Sequence, residues 1–318
     1  MGASVDVVAW VGPQSDGDGP TMRRHRFHQS WYRAFVLGVP AGTGPQKDAI
    51  TAYGNMLRAE DAASGSNFLT GEIHQIAERR IAEGGTVEPF RCRHNMLSSQ
   101  PMCFNFIAPM QSRPWLAAEL VQSVTGRDVE IESDGVRLED SPGHLDDATG
   151  LDASIRYRTD DGRRGVLGIE TKLTEQFSPK VYSLDSKPAY RRYSQASSGP
   201  FDQVRLELLT DRRWNQLWRN QMLCEAIADH EERELAEQLV VFPDDAGVTA
   251  SLVAEYASLL RRSDAVVART LNEVVADVEQ AAHGDASPWL ERFRVRYIDL
   301  DLSQQLYEAW CAGRLPFG

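Results

Sequence analysis

Between Asp128 and Leu173 the spacing of apolar residues changes from a helical period to alternation, and an Asp-Gly pair, Asp161-Gly162, stands inside this stretch. Alternation marks a strand with one buried face, and Asp-Gly tolerates the positive φ of a tight reversal, so the segment predicts an antiparallel hairpin. DVEIES and GVRLED read as two short strands ahead of it, followed by LDASIRYR, the turn TDDGRR and GVLGIETKL. A loop of two or three residues makes paired positions sum to about 323 or 322, which sets Asp152 opposite Glu170 or one residue from it. Ala153, Ile155 and Tyr157 then share an apolar side with Leu167, Ile169 and Leu173, while Asp152, Glu170 and Lys172 converge on a polar one.

Two carboxylates opposed on neighbouring strands repel each other and raise one another's pKa unless a cation neutralises them. Magnesium suits such a pair: it is a hard cation that takes one or two carboxylates and keeps its other positions for water and phosphate oxygens. A neighbouring ammonium then positions water and stabilises charge on a phosphorane-like transition state. The chain uses lysine sparingly, with four lysines (Lys47, Lys172, Lys180 and Lys187) against 30 arginines, so a lysine in this place is notable. Two acid-x-Lys tripeptides occur. Asp185-Ser186-Lys187 precedes Pro188 in a loop, whereas Glu170-Thr171-Lys172 ends an apolar strand and has Asp152 across the hairpin. The alternative for these residues is a surface cross-strand ion pair, worth about 0–1 kcal/mol.

The rest of the chain reads mainly as helix. Residues 1–22 are rich in Gly, Asp, Pro and Ser and are expected to be mobile; RRHRFHQSWYRAF, from Arg23, reads as a solvated basic helix face. His25 and His28 have no neighbouring ligand to complete a zinc site. Helical spacing continues from Ala49 to Ile81, broken at Ala63–Asn67, and over Arg93–Met110 and Arg113–Gly126. A long helix is expected from Phe201 to Leu239, a short strand in LVVFP (Leu239–Pro243), helix from Val248 to Ala282, and a final strand or helix over Arg294–Leu302. The longest apolar run, Ala34–Gly42, is broken by Gly38 and Pro40 and falls short of the roughly 18 residues of a membrane span. With no basic leader at its start, the sequence reads as that of a cytoplasmic protein, and the four cysteines (92, 103, 224 and 311) as small buried hydrophobes.

Asp152 followed by Glu170-Thr171-Lys172, between helices, resembles the PD-(D/E)xK nuclease superfamily, with Leu151 where the superfamily's name places a proline. HNMLSSQPMCFNFIAPM, GHLDDATGLDASIRY, GIETKLTEQF and QLWRNQMLCEAI together resemble a bacterial group of restriction endonuclease-like proteins, over Arg23 to Pro243. The resemblance implies an α/β (α+β) fold: a mixed central β-sheet flanked by helices, a restriction-endonuclease-like core with helical N- and C-terminal additions. Its divisions would be a mobile segment 1–22, a nuclease domain 23–245 and a helical extension 246–318 packed on the core. It implies Asp152 and Glu170 as metal ligands and Lys172 as the catalytic lysine, with Glu139 as first choice and Glu119 as second choice for a further acid. Gln216 and Arg219 resemble positions that contact substrate phosphate, and Glu175 a residue supporting the ligands; Ser99 and Gln100 are assigned no chemistry.

The expected function is thus a magnesium-dependent DNA endonuclease, with manganese as a substitute ion, in restriction or phage defence. RNA or a repair intermediate is the alternative substrate, and a helical interaction protein the non-enzymatic alternative. Cutting both strands needs two sites, which a homodimer supplies; a partner protein in a defence system is a further expectation. The net charge of −12 disfavours a polyanion only as a whole-chain average. Residues 128–180 carry −6 and 225–318 carry −10, whereas 181–224 carry +3, with Arg191, Arg192, Arg205, Arg212, Arg213 and Arg219. Charges beyond about 8 Å are largely screened at physiological salt. The expectation is an acidic metal site rimmed by arginines such as Arg191 and Arg192, joined by Arg23, Arg24 and Arg26.

Overall fold

The computed structural model describes residues 7–44, 51–282 and 286–313; Met1–Asp6 of the expected mobile segment, and Lys47 and Ala49–Ile50 at the start of the second expected helix, lie outside them. In chain order its principal elements are helix α1 (Pro20–Trp31), strands β1 (Ala41–Thr43) and β2 (Ala52–Leu57), helices α2 (Gly71–Glu83), α3 (Ser99–Ile107) and α4 (Pro114–Thr125), and strands β3 (Val129–Asp140), β4 (Leu151–Thr159) and β5 (Arg164–Thr171). There follow α5 (Pro188–Ser194), α6 (Asn215–His230), β6 (Leu235–Phe242), α7 (Gly247–Leu259), β7 (Val266–Thr270), α8 (Leu271–Ala281) and α9 (Ala286–Tyr297). Strands β3 to β7 form one mixed sheet in that order, antiparallel from β3 to β5 and parallel from β5 to β7. Parallel neighbours need crossovers, which α6 and α7 supply on one face.

Helices cover the sheet on both sides. Leu167, Ile169, Leu239 and Val241 belong to a core with residues of α3, α4, α8 and α9, and Val166, Val240 and Phe242 to a second core with residues of α5, α6 and α7. At about 1.5–3 kcal/mol for each fully buried large aliphatic side chain, these two layers are the main force holding the sheet in place. The expected hairpin forms with the longer of the two loops: Ala153 pairs with Ile169 and Arg158 with Arg164, and Gly162 takes φ +88°. The face expected to be polar is not open to solvent, because α6 packs over it; Arg156 there is buried against Asp140 at 2.7 Å and Glu231 at 2.9 Å.

Several expected boundaries move, each for a physical reason. DVEIES and GVRLED are one strand, β3, with a bulge between Ile131 and Val136. In the second segment residues 52–57 pair as a strand, where Gly54 approaches the Val11 carbonyl so closely that a Cβ would lie 2.4 Å from it, and helix comes only after it, as a short stretch Ala59–Ala63 and then α2 from Gly71. The long helix expected to reach Leu239 stops at His230, Glu232 turns into a left-handed conformation at φ +53°, and β6 begins at Leu235. All eight residues of β6 are buried, so alternation is lost and Glu237 and Gln238 mimic a helical period. β7, a five-residue edge strand with only Val266 buried, lies inside the helix expected from Val248 to Ala282, while Arg294–Leu302 is the end of α9 and a 3₁₀ turn.

The basic stretch is also not a solvated face. Phe27, His28 and Gln29 are buried, and His28 bonds to Ser303 and the Val295 carbonyl; burial pulls its pKa down to about 3, so the ring is neutral. Part of the segment before it has firm partners, the Trp10 indole donating to the Ala34 carbonyl and Arg26 pairing with Asp18. Cys92, Cys103 and Cys224 are buried, whereas Cys311 is exposed. Among the described residues no helix is long and apolar enough to cross a membrane.

Candidate active site

The register carries three acids across three strands. Leu138 pairs with Ala153 and Asp140 with Leu151, so Glu139 stands across from Asp152; one step beyond the Ala153–Ile169 pair, Asp152 stands across from Glu170. Thr171 ends β5, and Lys172 follows with its backbone N–H donating to the Val241 carbonyl of β6 at 2.8 Å. The Lys172 ammonium reaches back 2.8 Å to Glu170. Both side chains are buried, at 7% and 3% residue exposure, so this is no surface ion pair.

Each carboxylate is held by donors. Glu170 Oε1 also accepts from the Gln216 amide at 2.8 Å, and Oε2 accepts from the Asn220 amide at 2.7 Å. Gln216 is itself fixed, its Oε1 accepting from the Ser178 N–H at 2.6 Å and from Lys172 at 3.3 Å. Asp152 Oδ2 accepts both the N–H and the hydroxyl of Thr171, each at 2.7 Å. Glu139 has φ +50°, a left-handed backbone uncommon for a non-glycine residue, and its carboxylate accepts from Gln100 at 2.6 Å and Thr86 at 2.7 Å.

Burial and the facing carboxylates Glu170 and Glu139 hold the Asp152 pKa well above the usual range, against the pull of Lys172 and the Thr171 N–H. Burial likewise raises Glu139, which Thr86 and Gln100 partly offset and the charge of Glu170 adds to. Burial lowers the affinity of Lys172 for its proton, but Glu170 and Asp152 more than reverse this and raise its pKa. The cluster is therefore a compact, largely buried excess of negative charge with one ammonium against it, on an apolar strand pair.

Residues 16–299 match the model of the PD-(D/E)XK nuclease superfamily. The chain belongs to that superfamily. No curated protein and no solved structure matches it. The mixed five-stranded sheet flanked by helices is the α/β fold of these nucleases, which implies a nucleic acid substrate and, in general, a divalent metal.

Within this nuclease the structure brings together Asp152, Glu170, Lys172, Glu139 and Gln216; of the expected arginines, Arg212 and Arg213 line a cavity that opens onto Lys172, whereas Arg219, Arg191 and Arg192 have partners elsewhere. Arg219 points to Tyr190 and Thr149 and lies over the Tyr182 ring, tying down the segment that enters β4. Arg191 pairs with Asp185, and Arg192 with Asp229 at 2.6 Å. Asp229 lies 13 residues beyond Gln216 on α6, about 20 Å along the helix, so Arg192 does not rim the acids. Glu119, on α4, makes no hydrogen bond to Asp152, Glu139 or Glu170. Glu175 accepts the backbone N–H groups of Ser99, Leu173 and Thr174, joining the start of α3 to the loop after Lys172.

Sequence reasoning missed Asn220, Thr171, Thr86 and the bond made by Gln100. Asn220 had a signal, since it lies four residues after Gln216 and thus on the same face of α6. The other three reach their carboxylates only through the tertiary fold.

The donor set fits a hard divalent cation. Asp152 and Glu170 offer only carboxylate oxygens, and their mutual repulsion is relieved by positive charge. Among the described residues no three His, Cys, Asp or Glu side chains converge into a ready metal cage, and Glu139 is held aside by Thr86 and Gln100. Two carboxylates, with water and phosphate completing the shell, is the arrangement magnesium tolerates best.

Proposed function

We propose that this nuclease is a magnesium-dependent endonuclease that hydrolyses phosphodiester bonds in DNA, acting in the cytoplasm, with manganese able to replace magnesium. The observation that carries the reading is the alignment of Asp152 across from Glu170 with the Lys172 ammonium 2.8 Å from Glu170. Asp152 and Glu170 would hold the cation, which supplies Lewis acidity toward water and phosphate oxygens. Gln216, Asn220 and Thr171 fix the two carboxylates, so little reorganisation is needed when substrate arrives. Lys172 places a positive charge where the phosphoryl group gains negative charge, as the water oxygen bonds to phosphorus and the bond to the leaving oxygen breaks. A role in restriction or phage defence, with a homodimer or a partner protein, follows from the resemblance rather than from any residue.

Purified protein is expected to nick or linearise plasmid with magnesium and to stop on chelation. Asp152→Ala, Glu170→Ala and Lys172→Ala should each abolish cleavage while the fold, read by circular dichroism, is kept. Equal cleavage by the triple variant and the wild type would sink the proposal. Cleavage of RNA but not DNA would move the substrate and leave the chemistry.

A further inference from the structure

A cavity of about 1,090 Å³ opens onto Lys172 and runs between the loop after β5, the start of α1 and the start of α7. Leu173, Phe177, Val248 and Leu252 give it an apolar wall, and the Lys172 ammonium lies 4.9 Å from the centre of the Phe177 ring. Val248, on the cavity's apolar wall, is 83% exposed. Arg212 lines the same cavity, is exposed, and makes no ion pair among the described residues, whereas its neighbour Arg213 is bound to Glu255. The two acids in the lining are engaged elsewhere: Glu175 with three backbone N–H groups, Asp245 with His25.

Resting on the nuclease reading above, we infer that the strand to be cut enters this cavity unpaired, so that the preferred substrate is single-stranded DNA or the single-stranded part of a flap, overhang or bubble. An intact duplex is a rigid rod that carries phosphates outward and hides its base faces. Its backbone cannot follow a recess down to the buried Lys172, and it has nothing to set against an apolar wall. An unpaired strand meets both demands: each base has a flat apolar face for Phe177, Leu252 and Val248, and its phosphates reach Lys172 and Arg212. The volume slightly exceeds the roughly 300–1,000 Å³ that encloses drug-sized ligands, space for about two or three nucleotides.

The test offers one labelled DNA strand with magnesium in three forms: alone, in a blunt duplex, and in a duplex with an internal bubble over the same sequence. The strand alone and the bubble should be cut at least tenfold faster in kcat/KM than the blunt duplex. Val248→Glu, at an exposed position where folding is safe, should weaken binding of the single strand at least fivefold by fluorescence anisotropy in metal-free buffer. Leu252→Trp, which fills the cavity, should do the same. Arg212→Ala should weaken it too and make the salt dependence shallower by about one unit of slope. Equal cutting of blunt duplex and single strand, or unchanged binding by Val248→Glu, overturns the inference and leaves the nuclease reading standing. No cleavage of any form overturns the nuclease reading and the inference with it.

Discussion

Helix α6 carries two pairs of polar residues, each four apart and set about 140° from one another around the helix: half-buried Gln216 with buried Asn220, and buried Gln221 with half-buried Glu225. The first pair is fully engaged, donating to both oxygens of Glu170. The second is not. Gln221 Oε1 has no hydrogen-bond partner among the described residues, nor have both amide atoms of Gln238 on the facing β6, the Tyr256 hydroxyl on α7 or Arg262 Nε. Burial raises the Glu225 pKa to about 7, with Arg262 only partly opposing it. One helix thus satisfies polar groups where a charge must be held in place and leaves them wanting where only packing is at stake. The contrast teaches that burial of polar atoms is not itself a sign of a site; a complete set of partners around a carboxylate is the better sign.

The sharpest way to separate the two pairs is to remove the charge that the first one serves. Asp152→Asn should lower plasmid cleavage by about 10³-fold or more, yet raise the melting temperature, because it removes one of the mutually repelling buried carboxylates. A drop in both would show that the carboxylate stabilises the fold as well.

Next comes the second pair. The Glu225 pKa is raised in the folded state, so its favourable contribution is complete below about pH 4.5 and lost as pH rises through about 7. Glu225→Gln should therefore stabilise the protein at pH 8 by about 3 kcal/mol in urea unfolding, the gap closing below pH 5. A pH-independent difference would break the contrast.

Asn220→Ala leaves one oxygen of the Glu170 carboxylate without its donor, at a cost of about 1–3 kcal/mol in the same assay. Cleavage should also fall by tenfold or more, which separates it from a merely structural loss. The smallest effect is expected for Tyr256→Phe, whose hydroxyl has no partner: a change within about 0.5 kcal/mol, or a slight gain. A loss near that of Asn220→Ala would show the second pair to be satisfied after all.

How much of this was readable from the residues follows from what a one-dimensional pattern can carry. The hairpin announced itself through Asp161-Gly162 and alternation, and its register brought Asp152, Glu170 and Lys172 together before any coordinates. Strand β6 was legible only in its second half, Leu239–Phe242, because a strand buried on both faces has no alternation and Glu237 and Gln238 disguised its start as helix; β7, five residues long with only Val266 buried, was read as helix. Gln216 was found but Asn220 was not, although the four-residue spacing was there to use. Thr86 and Gln100 were invisible as partners of Glu139, since nothing local links positions so far apart in sequence. The arginines were legible only in part through the same gap: Arg212 and Arg213 line the cavity at Lys172, but clustering at 191–192 and 212–213 in the chain says nothing of which cluster opens there.

The parallel side of the sheet closes with a strand of only five residues, Val266–Thr270. Until that strand arrives during synthesis, β6 presents the run Leu239-Val240-Val241-Phe242 along an unpaired edge, the kind of surface that recruits other unfolded chains. At about 5–20 residues per second, the gap between Phe242 and Thr270 lasts on the order of 1–6 s, longer still by the time needed for the last residues to clear the ribosome. Shortened versions ending before Val266 should therefore accumulate as aggregates, and the yield of intact nuclease should respond to translation speed and chaperone supply more than its native contacts alone suggest.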